Sequence, residues 1–127
     1  MRTRIRVLLA DDSALMRREL KRLIEGDPRL VVIGSARDGA EAVEQTRSLD
    51  PDVVALDINM PRMDGLEATK RIKEIRPSTK VVLISGNDRP PANSVADGFL
   101  AKPFRIDELC AAVQSILSDD KPRPRVA

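Results

Sequence analysis

A doubly wound α/β sandwich, with one five-stranded parallel sheet between two layers of helices, is the architecture this sequence predicts. Three observations carry it. Short runs of Val, Ile and Leu alternate with helical patterns along the chain. Those runs are continuously apolar instead of alternating, as in strands covered on both faces. The polar residues Asp11, Asp12, Asp57, Ser85 and Lys102 gather where the runs end. At 127 residues the chain is long enough for one domain with a real core.

The elements follow in order. Ile5 to Ala10 reads as the first strand, and Asp11-Asp12-Ser13 ends it with helix-capping groups. Met16, Leu20, Leu23 and Ile24 then form one helix face, closed by Gly26-Asp27-Pro28. Leu30 to Gly34 is the second strand. Asp38 with Glu41 has capping-box spacing and predicts a helix from about Gly39 to Leu49. Asp50-Pro51 breaks it and leads into the third strand, Val53 to Asp57, which leaves through Pro61 and the turn Met63-Asp64-Gly65. Asp64 and Glu67 repeat the cap spacing, and Ala68, Ile72 and Ile75 make the next helix face, stopped by Pro77. Lys80 to Ile84 is the fourth strand and Gly98 to Ala101 a short fifth. The last helix, about Ile106 to Leu117, turns Ile106, Leu109, Cys110, Val113, Ile116 and Leu117 inward.

One connection breaks the rhythm. Only Asn87 to Asp97 separate the fourth strand from the fifth, with Pro90 and Pro91 among them. Proline is tolerated only in a helix's first turn, so this fourth crossover is expected to be short or irregular. Right-handed crossovers between the remaining elements give the flavodoxin-like, three-layer arrangement.

Composition narrows the chemistry. The apolar fraction of 42% and charged fraction of 33% are those of a soluble globular protein, and no apolar run approaches a bilayer span. No cleavage-site pattern follows the first apolar run, so a cytoplasmic location is expected. Net charge is +2 with only two aromatics, Phe99 and Phe104, which gives no basic stripe with stacking platforms for nucleic acid. Histidine is absent, which removes His triads and His metal sites from these residues. The single cysteine, Cys110, sits in an apolar pattern and reads as a buried thiol.

Parallel strands place their carboxyl ends on one edge, where open α/β sheets bind ligands. Asp57 by itself could be an ordinary turn carboxylate, Asp11 and Asp12 caps, Ser85 a turn hydroxyl and Lys102 a solvated strand end. Their joint placement on one edge is what carries weight. Carboxylates ~4 Å apart repel by about 4 kcal/mol per pair at an effective dielectric near 20, so the cluster calls for a cation. Oxygen ligands without His or Cys favour Mg²⁺, Mn²⁺ or Ca²⁺. A metal, the Lys102 ammonium, the Ser85 hydroxyl and a carboxylate nucleophile are the parts phosphoryl transfer needs.

This set resembles the receiver domain of two-component response regulators: Asp11-Asp12, Asp57 within Leu-Asp-Ile-Asn-Met-Pro, Met63-Asp64-Gly65, Ile84-Ser85-Gly86 and Lys102-Pro103-Phe104. Asp12 to Arg18 is similar to receivers of the chemotaxis type, including the regulatory domain of chemotaxis methylesterases. The resemblance implies a receiver over residues 1–118, with 119–127 a polar tail or the start of a linker. It implies that Asp57 accepts a phosphoryl group from a sensor histidine kinase or a histidine phosphotransfer protein. Asp11, Asp12, Asp57 and the backbone carbonyl of Asn59 would hold Mg²⁺, with Mn²⁺ as the alternative. Lys102 and Ser85 would bind the phosphoryl oxygens, and Gly86 would leave room for them. Phe99 would be the switch aromatic that follows Ser85, and Pro103 would support the turn through a cis bond. Asn59 and Asn87 fall at positions that tune the lifetime of the phosphoryl group.

By the same resemblance the chain is a regulatory domain that phosphorylates and dephosphorylates itself and is otherwise no enzyme. It would act on a downstream partner or a fused output domain, with no contact to membrane or nucleic acid. A small Mg²⁺-dependent aspartyl phosphatase is the enzymatic alternative, but Asn59 stands where its second Asp would serve as general acid. A nucleotide- or flavin-binding domain lacks its glycine-rich loop after the first strand. A degenerate receiver that binds partners without phosphorylation is the remaining alternative.

Overall fold

In a computed structural model, residues 4–86, 92 and 94–118 are described. Five parallel strands, β1 (Ile5–Ala10), β2 (Leu30–Ala36), β3 (Val53–Asp57), β4 (Lys80–Ser85) and β5 (Gly98–Ala101), form one sheet in the order β2-β1-β3-β4-β5. The helices are α1 (Ala14–Ile24), α2 (Gly39–Leu49), α3 (Gly65–Ile75) and α4 (Ile106–Ser118). Chain order and strand order together make the expected doubly wound, flavodoxin-like sandwich.

Each face of the sheet has its own core. Leu20 and Ile24 of α1 and Leu109, Cys110, Val113 and Ile116 of α4 pack on Val7, Leu9, Val53, Ala55, Val82 and Ile84. Ala42 and Val43 of α2 and Ala68 and Ile72 of α3 pack on Leu8, Val54, Leu56, Val81 and Leu83. Successive strand residues thus feed opposite cores, which is why β3 is buried at all five positions and reads as an unbroken apolar run. Cys110 is the buried thiol its pattern suggested.

Several boundaries run further than the sequence indicated. β2 continues to Ala36, and β4 takes in Ser85, so that residue ends the strand instead of following it. The register of β1 against β2 shifts between Val7 and Leu8 beside Gly34, where a Cβ would lie 2.7 Å from Gln45 Oε1. The caps are half as predicted. Asp38 Oδ1 accepts from Glu41 N at 2.8 Å, but Glu41 reaches back to the N–H of Arg37, one residue before the cap. Asp64 caps Glu67 N at 2.9 Å, while the Glu67 carboxylate pairs with Arg71.

Among the described residues between β4 and β5 there is no helix, in line with a short or irregular crossover. Its proline segment and Asn87 lie outside the described residues, as does the tail 119–127. The end of the crossover is anchored. Asp97 Oδ2 accepts from Val81 N at 2.8 Å and meets Lys73 Nζ at 2.6 Å, tying the start of β5 to β4 and α3.

Candidate functional site at the carboxyl edge of the sheet

Asp11 follows β1 and Asp57 ends β3, so the pairing of these two strands brings the carboxylates together at one edge. Both are buried, at 4% and 7% exposure, whereas Asp12 is exposed. One ligand atom from each of Asp11, Asp12 and Asp57 lies within 4.8 Å of the others. Lys102, just past β5, reaches across β4 to this cluster. Its Nζ donates to Asp57 Oδ2 at 3.0 Å and lies 3.9 Å from Asp11 Oδ2.

Main-chain groups fix the carboxylates. Asn59 N donates to Asp57 Oδ1 at 3.1 Å, and Ser13 N to Asp11 Oδ1 at 2.9 Å. Ser13 Oγ in turn caps α1 by accepting from Met16 N, so the turn that ends β1 also starts the helix. Burial pushes the Asp11 carboxyl above its ordinary range. The Ser13 N–H pulls it back, the Asp57 carboxylate raises it again, and the Lys102 ammonium offsets part of that. The Lys102 ammonium thus pairs with Asp57 and Asp11, Asp12 adds a third carboxylate to the cluster, and the all-oxygen donor set fits a hard divalent cation.

The loop after Asp57 is held by close backbone packing. A Cβ at Gly65 would lie 2.4 Å from the Asp57 carbonyl oxygen, so only glycine lets α3 begin this close to the strand end. Gly65 N donates to Ile58 O at 2.8 Å, and Ile58 N to Ile84 O at 3.0 Å.

Of the remaining predicted residues, Ser85, Gly86, Asn59 and Pro103 lie at or just past the same strand ends, while Phe99 sits within β5. Ser85 is buried at the end of β4, and its carbonyl accepts from Lys102 N at 2.7 Å. Gly86 is exposed, and a Cβ there would meet nothing within 4 Å. The Lys102–Pro103 bond is cis. Asn59 is exposed beside the cluster. Phe99 is half-buried against the core beneath α2 and α3.

Sequence reasoning missed two contacts. Arg17 Nη1 donates to the carbonyl of Asp11 at 2.6 Å, from one turn into α1. Arg62 donates through Nε and Nη2 to Asp38 Oδ2 across the edge of the α2–α3 face. The arginine-rich start of α1 offered a weak signal for the first; nothing local marked the second, whose partners are 24 residues apart.

Comparison with known proteins follows the same lines. The response regulator receiver domain family matches residues 7–114. A protein-glutamate methylesterase/protein-glutamine glutaminase of Symbiobacterium thermophilum is 42% identical over 97% of this chain, and a protein of the same name from Pyrococcus horikoshii is 44% identical over 81%. The chain spans only 38% and 30% of the length of these two relatives. The response regulator domain of Thermotoga maritima CheB superposes with a TM-score of 0.81 at 34% identity, covering 91% of this chain and 97% of that one. The CheX-CheY-BeF3-Mg+2 complex from Borrelia burgdorferi gives 0.81 at 28% identity, covering 89% of each chain.

These relatives correct one expectation. A chain with no enzymatic role beyond its own phosphorylation was expected, yet the relatives are named as enzymes, methylesterases and glutaminases. The lack of histidine restricts only what these 127 residues can do by themselves. It has no bearing on proteins that carry a receiver within a much longer chain.

Proposed function

The chain belongs to the response regulator receiver domain family, and from that premise we propose that it is a phosphoaccepting switch with Asp57 as the acceptor. The observation that carries this reading is the Asp57 carboxylate, held between Lys102 Nζ and Asn59 N and within ligand reach of Asp11 and Asp12.

The donor is a phosphohistidine on a sensor kinase or a phosphotransfer protein, since this chain has no histidine of its own. An Asp57 oxygen forms the new P–O bond as the donor's P–N bond breaks. The imidazole nitrogen leaves with the electron pair and takes a proton. Asn59 N and Lys102 Nζ orient the nucleophile before transfer. Lys102 then shares its donors with the phosphoryl oxygens, joined by the Ser85 hydroxyl at the end of the neighbouring strand. Asp11, Asp12, Asp57 and the Asn59 carbonyl are the ligands for Mg²⁺, with Mn²⁺ as its substitute. The metal supplies charge neutralisation between the acidic cluster and the incoming phosphoryl group.

The output follows from the same charge. The acyl phosphate adds negative charge and strong acceptor oxygens beside Ser85, which moves toward them, and Phe99 on β5 changes rotamer in response. Gly86 leaves the space through which the phosphoryl group enters. The receiver unit spans residues 1–118, works in the cytoplasm and hands its state to an output partner or output domain. A methylesterase or glutaminase, as in the named relatives, is one such output.

The test uses beryllofluoride, an acyl-phosphate mimic, with Mg²⁺. The unsubstituted protein should gain thermal stability and show amide shifts at Asp57, Ser85 and Lys102, and Asp57→Asn should show neither. Equal responses in both proteins would remove Asp57 from the chemistry.

A further inference from the structure

The loop carrying Asn59 is tied to a neighbouring helix by a pair that belongs to neither the acidic cluster nor the core. Arg62 has φ 67°, a left-handed backbone unusual for a side chain of this size. Its guanidinium is mostly exposed, but the carboxylate it meets, Asp38, is buried at 3%. Asp38 divides its two oxygens: Oδ1 accepts from Glu41 N and caps α2, and Oδ2 takes both the Nε and Nη2 of Arg62. Beside this pair Gly39 N donates to the Met63 carbonyl at 3.1 Å. The approach there is so close that a Cβ on Gly39 would lie 2.2 Å from that oxygen.

The segment from Ile58 to Asp64 is therefore held at both ends. Gly65 N bonds to Ile58 O at the Asp57 end, and Arg62 and Met63 are pinned to the α2 N-terminus at the other. The Asn59 carbonyl lies on the short stretch between these fastenings. Mg²⁺ demands near-ideal octahedral geometry, so a carbonyl ligand on an untethered loop would be held too loosely.

We infer that Arg62 and Asp38 are positioning residues for the metal: the pair latches the β3–α3 loop onto α2 and so sets the place of the Asn59 carbonyl. The inference rests on the Mg²⁺-dependent phosphoacceptor reading. It accounts for a left-handed arginine, because the buried carboxylate offsets the backbone cost, whereas a glycine would leave the loop held to α2 by the Gly39 N–Met63 carbonyl bond without the side-chain pair. Groups bonded directly to a metal ligand typically change affinity by about 10–100-fold, and a latch three residues from Asn59 takes the lower end of that range, about tenfold.

The test is an NMR titration of Mg²⁺ into the ¹⁵N-labelled protein, read at the Asp57 and Asn59 amides, with thermal unfolding of the metal-free protein alongside. Arg62→Gly keeps the left-handed backbone and removes the latch. Asp38→Asn keeps an acceptor for Glu41 N but turns an N–H donor toward Arg62. Each variant should bind Mg²⁺ about tenfold more weakly, and the double variant no more weakly than either, because one interaction is being removed. Arg62→Lys, which keeps the charge, should recover part of the affinity. Mg²⁺ affinities equal to the unsubstituted protein would overturn the latch, even if the variants melt earlier. So would losses that simply add in the double variant. A protein that shows no Mg²⁺ response before any substitution would instead sink the phosphoacceptor reading, and the latch with it.

Discussion

At the scale of single residues, the site is a balance of charges that the protein leaves unfinished. Asp11 is the clearest case. Its carboxyl is pushed above the ordinary Asp range, first by burial, with Asp57 adding to the push. A raised folded-state value means that the folded protein holds this proton more tightly than the unfolded chain does. Asp11 therefore favours folding fully below the unfolded-state value, and that contribution is lost as pH rises through the folded one. At neutral pH without metal the ionised group is a net cost. Asp11→Asn, which keeps an acceptor for Ser13 N, should raise the melting temperature of the metal-free protein at pH 7 and abolish the stabilisation by Mg²⁺. Thermal scans with and without Mg²⁺ check both. In the unsubstituted protein Mg²⁺ affinity should weaken as pH falls toward Asp11's raised value, since proton and metal compete for one carboxylate. An affinity flat down to the ordinary Asp range would contradict this.

At the scale of elements, two glycines near the site make opposite predictions. Gly65→Ala forces a Cβ to within 2.4 Å of the Asp57 carbonyl, so β3 and α3 must part. Chemical denaturation should show a loss of about 1–3 kcal/mol, typical of overpacking, with slower phosphorylation because the acceptor moves. Gly86→Ala places its Cβ in open space, and stability should stay within about 0.5 kcal/mol. If Gly86 leaves room for the phosphoryl group, the alanine variant phosphorylates more slowly while melting normally. The anchored end of the crossover is a third case. Asp97→Ala leaves the N–H of Val81 without its carboxylate and Lys73 Nζ with the Thr79 carbonyl but no counter-charge from Asp97, and should cost about 1–3 kcal/mol.

These elements also show what a sequence can carry. The strands and helices were legible because burial on two faces imposes unbroken apolar runs, and because Ser13, Asp38 and Asp64 cap where their type predicts. Asp11, Asp12, Asp57 and Lys102 were legible because strand direction alone sends them to one edge. The Arg62–Asp38 pair was not, since it depends on how two loops meet, and a left-handed arginine looks like any other in a sequence. The reciprocal half of the capping boxes failed for a local reason: Glu41 and Glu67 each have an arginine within four residues, Arg37 and Arg71, that competes for the carboxylate.

For the whole molecule, the consequence is that metal and phosphoryl group act as ligands of the folded state alone, because strands far apart in sequence must pair before the acidic edge exists. At 100-fold excess over its dissociation constant, Mg²⁺ should add about 2.7 kcal/mol of stability, and salt without a divalent cation should add none of it. The chain spans 38% of the length of the Symbiobacterium thermophilum relative, and the receiver family matches residues 7–114 of this chain. The most direct measurement on the central claim is to phosphorylate the protein with a small phosphodonor and Mg²⁺, trap the acyl phosphate by borohydride reduction, and map the modified residue by peptide mass spectrometry. A single Mg²⁺-dependent modification at Asp57 is the predicted result. Modification at another residue, or none under conditions where Mg²⁺ binds, would contradict it.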